Sequence, residues 1–185
     1  MNIRTPATHR MDLVLVKSMS IKTLKIMLAV TLVLGATKSL AENQYVSVFL
    51  GQFDVGQTQV DTQYGVSWLS NTQWTRWSLQ PEVGLLRTRY GSHLIFTGIT
   101  RRTPFNTKPG GLALTVGLAP AIYWHGNGED TDLGYWLQFK SSLGLEYEFP
   151  DATRIGASFS HLSNASLGET NPGTELWTLH FRLPF

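Results

Sequence analysis

The chain has 185 residues, with 15 Lys and Arg against 13 Asp and Glu and a formal net charge of +2. That near-neutral balance excludes the strongly basic footprint of a nucleic-acid binder, and the length suits one domain. Charged residues make up only 15% and glycine occurs 17 times, which fits short strands, tight turns and a large apolar surface. Cysteine is absent, so disulfides and thiolate metal sites are removed from consideration.

Residues 1–41 read as a cleavable export signal. Arg4, Arg10, Lys17, Lys22 and Lys25 form a basic leading region with no acid after Asp12. Ile26 to Leu34 supply an apolar stretch, and Ser39-Leu40-Ala41 is a small-x-small cleavage site. The long basic region leaves the translation start open among Met1, Met11 and Met19. An apolar run of about nine residues is too short to span roughly 30 Å of hydrocarbon, which weighs against an anchoring helix. The mature domain is expected over 42–185, starting near Glu42.

Beyond the signal, helical periodicity is poor, and short alternating segments are bounded by Gly, Pro, Asn and Asp. Strands are expected near Tyr45–Phe53, Gln59–Ser70, Trp74–Thr88, His93–Arg102, Leu112–His125, Tyr135–Phe149, Thr153–Ser163 and Glu175–Phe185. Eight is an even count, as a closed antiparallel membrane barrel requires. In the fifth strand Ala113, Thr115, Gly117 and Ala119 alternate with Leu112, Leu114, Val116 and Leu118, small inside and apolar outside. Tryptophans 68, 74, 77, 124, 136 and 177 fall near strand ends, with Trp77 placed deeper.

The last strand separates a membrane barrel from a soluble sandwich. One face carries Glu175, Trp177, Leu179, Phe181, Leu183 and Phe185; the other carries Leu176, Thr178, His180, Arg182 and Pro184. In a narrow barrel the apolar set meets lipid and the polar set fills the lumen. The export signal and the terminal Phe185, which resembles an outer-membrane assembly signal, favour the barrel. The expected fold is all-β: an eight-stranded antiparallel transmembrane β-barrel in a bacterial outer membrane. If the chain enters from the periplasm, the connections after odd-numbered strands face outward.

One hairpin concentrates the chemistry. His161 and Ser163 are two apart on the seventh strand, so they share a face at about 6.5–7 Å between Cα atoms. Glu175 opens the eighth strand, whose directly opposed residues bring Cβ atoms about 4.5–5.5 Å apart. A hydroxyl, an imidazole and a carboxylate thus meet on one hairpin, as a nucleophile, its base and the group that orients the base. By parity the three continue the row of Ile155, Ala157 and Phe159 and that of Trp177, Leu179 and Phe181. They lie on the lipid-facing wall, where polar groups are costly and need a function. A substrate would arrive sideways from the leaflet, which suggests a lipid ester. Residue by residue, a serine, a glutamate or a histidine near a strand end is ordinarily surface decoration, and Gly-x-Ser-x-Gly is absent.

The run His161-Leu162-Ser163-Asn164-Ala165, followed by Asn171-Pro172-Gly173 and Glu175, resembles the lipid A 3-O-deacylase family, PagL. The resemblance implies an eight-stranded outer-membrane barrel that removes the ester-linked 3-hydroxy acyl chain at position 3 of lipid A. It implies Ser163, His161 and Glu175 as the catalytic triad and Asn164 as an oxyanion residue. The family usually has glycine as a second, backbone donor where this chain has Ser166. No cofactor or metal is implied. As partners this reading admits lipid A in lipopolysaccharide and the surrounding outer-membrane lipid, leaves a homodimer open, and excludes nucleic acid. Two other classes stay open: a non-enzymatic structural barrel, and another lipid-modifying barrel such as an acyltransferase.

Weaker signals remain. Asn164-Ala165-Ser166 matches a glycosylation sequon, a chance hit in an exported bacterial chain. The Gly126–Asp132 loop is rich in oxygen ligands but lacks calcium-loop spacing. His93, His125 and His180 have no partner pattern. Arg87, Arg89, Arg101 and Arg102 qualify as lipid-phosphate ligands only where they reach the outer rim. Arg101 and Arg102 precede a connection on the periplasmic side and are not assigned.

Overall fold

Alternation of apolar and polar residues over nine to fourteen positions produces eight strands here, long enough to cross a bilayer when tilted. The computed structural model describes residues 44–57, 60–70, 77–106, 110–126 and 128–185. The signal segment lies outside them, as do Gln59, Trp74 and Asn127. The strands are β1 (Tyr45–Phe53), β2 (Asp61–Leu69), β3 (Leu79–Thr88), β4 (His93–Pro104), β5 (Gly111–Trp124), β6 (Leu137–Glu148), β7 (Arg154–Ser163) and β8 (Thr174–Pro184). Each pairs antiparallel with the next, and β1 pairs with β8 from Tyr45↔Pro184 to Phe53↔Leu176, which closes the barrel. Closure leaves no open sheet edge, the condition for a sheet to cross lipid.

Strand bounds fall close to expectation, with two differences of note. β3 begins at Leu79, not at Trp74, because Ser78 has φ 54° and breaks the extended run. Trp77 therefore sits in the turn before β3, 58% exposed, and not deep in the wall. The expected sixth strand also loses Tyr135 and Trp136 to the preceding loop.

Outward rows form an apolar belt that includes Val83, Leu85, Ile95, Val116, Leu118, Leu143, Leu145, Ile155 and Leu179, all exposed. In water such a patch would be an association site; in lipid it is the solvent-matched surface. The start of β1 and the end of β8 meet at one rim, where Phe185 donates its N–H to the Gln44 carbonyl. Longer connections after β5 and β7 crown the opposite rim, the pattern of periplasmic and external ends respectively.

The lumen is filled in two zones. Toward the periplasmic end Glu146, fully buried, meets Arg102 Nε at 3.0 Å, Arg182 at 3.0 Å, His180 Nε2 at 3.2 Å and Arg154 at 3.7 Å. Glu148 meets Arg154 at 2.7 Å, and Glu82 accepts hydrogen bonds from Ser67 and Thr100. Toward the external end the inward residues turn apolar: Phe53, Leu86, Leu94, Leu133, Leu162 and Leu176 pack into one cluster. The ion-pair network expected of a polar lumen thus lies in the periplasmic half, and the external half is an apolar cluster rimmed by buried, hydrogen-bonded polar side chains such as Gln63, Thr88, Asp130 and Gln138. Removing the shared carboxylate by Glu146→Ala strands several buried cations and should cost about 3–5 kcal/mol. The readout is a lower temperature for conversion of the compact gel band to the unfolded one. Glu146→Gln, which keeps the side-chain shape and one acceptor oxygen, should fall between; a transition unmoved by either change would refute the role.

Candidate active site

The triad hairpin is built by register. His161 and Glu175 are directly opposed across β7 and β8, and His161 Nδ1 lies 3.1 Å from Glu175 Oε1. Their side chains are 47% and 36% exposed on the outward wall, as parity requires. With Nδ1 donating to the carboxylate, Nε2 is the nitrogen left to exchange a proton. Ser163 lies two residues further along the same face, half-buried, and is the last residue of β7.

The surroundings divide sharply. On the membrane side of the pair, Phe159 opposes Trp177, and their rings stack edge-on with centroids 5.3 Å apart. On the neighbouring strand Phe139 opposes Ser163, Ser141 opposes His161 and Leu143 opposes Phe159. The site therefore has an apolar floor toward the bilayer and loops toward water. Gly173, at φ 64°, approaches the imidazole so closely that a Cβ there would sit 3.1 Å from His161 Cε1. Glycine is needed here for its left-handed backbone and for that approach.

Asn164 is placed differently from the expectation of a donor facing substrate. It is fully buried; its Nδ2 donates to the carbonyls of Leu133 at 3.0 Å and Thr170 at 2.6 Å. Its backbone N–H donates to Asn171 Oδ1 at 3.0 Å. All three of its donors are committed to holding the β7–β8 loop against the β5–β6 loop. Leu167 N–H then bonds back to the Asn164 carbonyl, and Ala165 and Ser166 have φ 52° and 62°. Two consecutive positive φ values closed by that bond are the features of a type I′ turn, normally the province of Gly, Asn and Asp. Among the described residues the N–H groups of Ala165 and Ser166 have no protein partner. Two adjacent free N–H donors thus follow the serine at the rim.

Other sequence candidates land elsewhere. His180 lies in the lumen on Glu146. Asp130 accepts from Thr88 Oγ1 and Asp132 from Gly134 N–H, so both brace the β5–β6 loop. Arg102 joins the lumen network.

Sequence reasoning missed Asp54. It is 1% exposed in the turn after β1, at φ 61°. One oxygen accepts from Thr174 Oγ1 at 2.5 Å and the other from Thr131 N–H at 2.7 Å. Val55 N–H donates to the Glu175 carbonyl at 3.0 Å. This turn therefore grips the first two residues of β8, including Glu175, and ties them to the β5–β6 loop. Nothing local marks an aspartate for a partner 120 positions away. Asp54→Ala leaves a buried N–H unpaired, a loss of about 1–3 kcal/mol, seen as faster amide exchange at Thr131 and Val55. Asp54→Asn, which tolerates the same φ, should retain most of the protection; equal exchange in the alanine variant would show the clamp to be idle.

Comparison with known proteins bears on the family and the fold. The family model described as lipid A 3-O-deacylase (PagL) matches residues 57–184. The lipid A deacylase PagL of Bordetella bronchiseptica is 29% identical over 72 residues, covering 39% of this chain and 40% of that relative. The chain thus aligns with well under half the length of that curated relative. The crystal structure of the outer-membrane enzyme PagL superposes with a TM-score of 0.64 at 22% identity, over 76% of this chain and 99% of the other. That match establishes the shared fold. The chain belongs to the lipid A 3-O-deacylase (PagL) family.

Proposed function

We propose that the barrel is an outer-membrane serine esterase that hydrolyses the ester at position 3 of lipid A. The observation that carries this is the His161–Glu175 pair at 3.1 Å on the lipid-facing wall, with Ser163 on the same row. An ion-pairable histidine and glutamate facing a leaflet have no structural task that the belt requires.

In the proposed reaction His161 Nε2 takes the proton of Ser163 as its Oγ attacks the ester carbonyl. Glu175 fixes the tautomer and stabilises the imidazolium. The tetrahedral oxyanion is held by the backbone N–H groups of Ala165 and Ser166, a preorganised pair. Asn164 serves the hole by fixing the turn that presents them. Collapse passes the proton from His161 to the departing sugar hydroxyl and leaves an acyl-serine. Water, deprotonated by His161, then cleaves that ester to release the 3-hydroxy fatty acid and restore Ser163. The acyl chain lies along Phe139, Leu143, Phe159 and Trp177, still in the hydrocarbon while its ester reaches the rim.

The test is mass spectrometry of lipid A from cells producing the folded protein, which should show loss of one 3-hydroxy acyl chain. Ser163→Ala should abolish it, and Glu175→Gln should lower turnover by about 10²–10⁴-fold, as for an orienting carboxylate. Unchanged lipid A beside a verified folded barrel would favour a structural role, and transfer of the acyl group to an acceptor other than water would favour an acyltransferase. Full activity in Ser163→Ala would remove the nucleophile assignment.

A further inference from the structure

The outer end of β3 and the turn after it carry two arginines, Arg87 and Arg89, that the proposed hydrolytic site does not use. Arg87 and Arg89 have outward parity with Val83 and Leu85, and both are exposed. They therefore continue a lipid-facing row, where an unneutralised guanidinium is costly and needs a partner. Among the described residues neither guanidinium meets a carboxylate; the contact recorded is Arg89 over the Tyr90 ring at 5.9 Å. Glu82, the nearest acid in sequence, points inward and accepts from Ser67 and Thr100, and Asp61 is 3% exposed and spends its oxygens on the N–H groups of Thr62 and Tyr90. Neither acid cancels the patch by contact.

Register fixes the height of these side chains. Arg87 stands opposite Tyr64 on one side and His93 on the other, and His93 stands opposite Trp124, which is 49% exposed. Arg89 N–H bonds to the Thr62 carbonyl, which places it one outward rung higher, beside an exposed threonine. A continuous outward row of Tyr, Arg, His and Trp marks the boundary between hydrocarbon and head groups. The arginines therefore reach the outer rim, at the level where the outer leaflet presents its charged groups. Arg is the side chain suited to that level, since its planar fork grips phosphate oxygens in pairs.

We infer that the outer end of β3 is a binding site for the phosphate groups of an outer-leaflet phosphoglycolipid of the lipid A type. Arg87 and Arg89 supply the charge, and Tyr64, His93 and Trp124 form the interfacial shelf on which the sugar rests. β3 stands four strands from β7 whichever way the barrel is counted, so a lipid held here is not the one at the triad. The site is a second, non-catalytic one that anchors the barrel in its leaflet, and it stands whether or not the triad hydrolyses esters.

Native mass spectrometry from detergent tests it with 3-O-deacylated diphosphoryl lipid A, which offers no ester at position 3. The wild-type barrel should retain one more lipid than an Arg87→Gln/Arg89→Gln variant shown to be folded by its gel mobility. Arg87→Lys/Arg89→Lys, which keeps the charge and loses the forks, should retain it more weakly than wild type and better than the glutamine variant. Fully dephosphorylated lipid A should show no difference between wild type and the glutamine variant. Equal retention of the diphosphoryl lipid by both would overturn the proposal. Displacement of the extra lipid by millimolar inorganic phosphate would also overturn it, by identifying a free-phosphate site.

Discussion

An eight-stranded barrel encloses a lumen just wide enough for its own side chains. In this protein little of that space is open: ion pairs around Glu146 fill the periplasmic part, Phe53, Leu133, Leu162 and Leu176 pack at the external end, and between them remains a cavity of about 50 Å³ lined by Ser67, Glu82, Lys140 and Arg182, too small for an acyl chain. A substrate with acyl chains has no way in. Chemistry is left with the outer wall, and there the bilayer forbids polar groups except near the rims. The position of the His161–Glu175 pair at the external ends of β7 and β8 follows from these two exclusions together.

A site on an outer wall has lipid or water on one side and must be made rigid from behind. The inward neighbours do this. Leu162 and Leu176, fully buried, anchor the strands that carry His161 and Glu175 in the apolar plug. Asp54 clamps Thr174 and Thr131, and Asn164 ties the loop after Ser163 to the carbonyl of Leu133. The charged and amide side chains most deeply buried around the site are thus supports, and the residues proposed to react are exposed. This inverts the usual relation in a cleft enzyme, and it means that a packed external plug is part of the site's construction. Left-handed residues at Asp54, Ala165, Ser166 and Gly173 cluster around the same hairpin. Three of them lack glycine's freedom, so the surrounding bonds must hold their strain.

Much of this was legible in the sequence because its information is local. Period-two alternation set the face of each residue in β5, β7 and β8, and one short hairpin put His161 opposite Glu175 without help from the rest of the chain. What could not be read depends on contacts between distant segments. Asp54 looks like an ordinary turn aspartate until the barrel closes and brings β1 beside β8. Asn164 follows the serine in sequence and so invites a catalytic role, but its side chain points into the space left by the β5–β6 loop, whose position no local pattern specifies. The start of β3 differs from expectation for a smaller reason: alternation already runs through Trp77, Ser78 and Leu79, and nothing in it announces the positive φ at Ser78.

The end of a strand is also where the proposed reaction has its donors. Within the belt every backbone N–H of a closed barrel is spent on a neighbouring strand, so a mid-wall serine would find no backbone group to receive an oxyanion. Ser163 is the last residue of β7, and the ladder stops just beyond it. The free N–H groups of Ala165 and Ser166 exist because a turn begins there. Water, which deacylation of the enzyme consumes, is available at the same height, while Phe159 and Trp177 one rung below remain in contact with lipid tails. One position along the strand satisfies three demands: an acyl chain left in hydrocarbon, backbone donors released from the ladder, and a nucleophilic water. Moving the triad two residues toward the periplasm would lose the last two, and moving it two outward would lose the first.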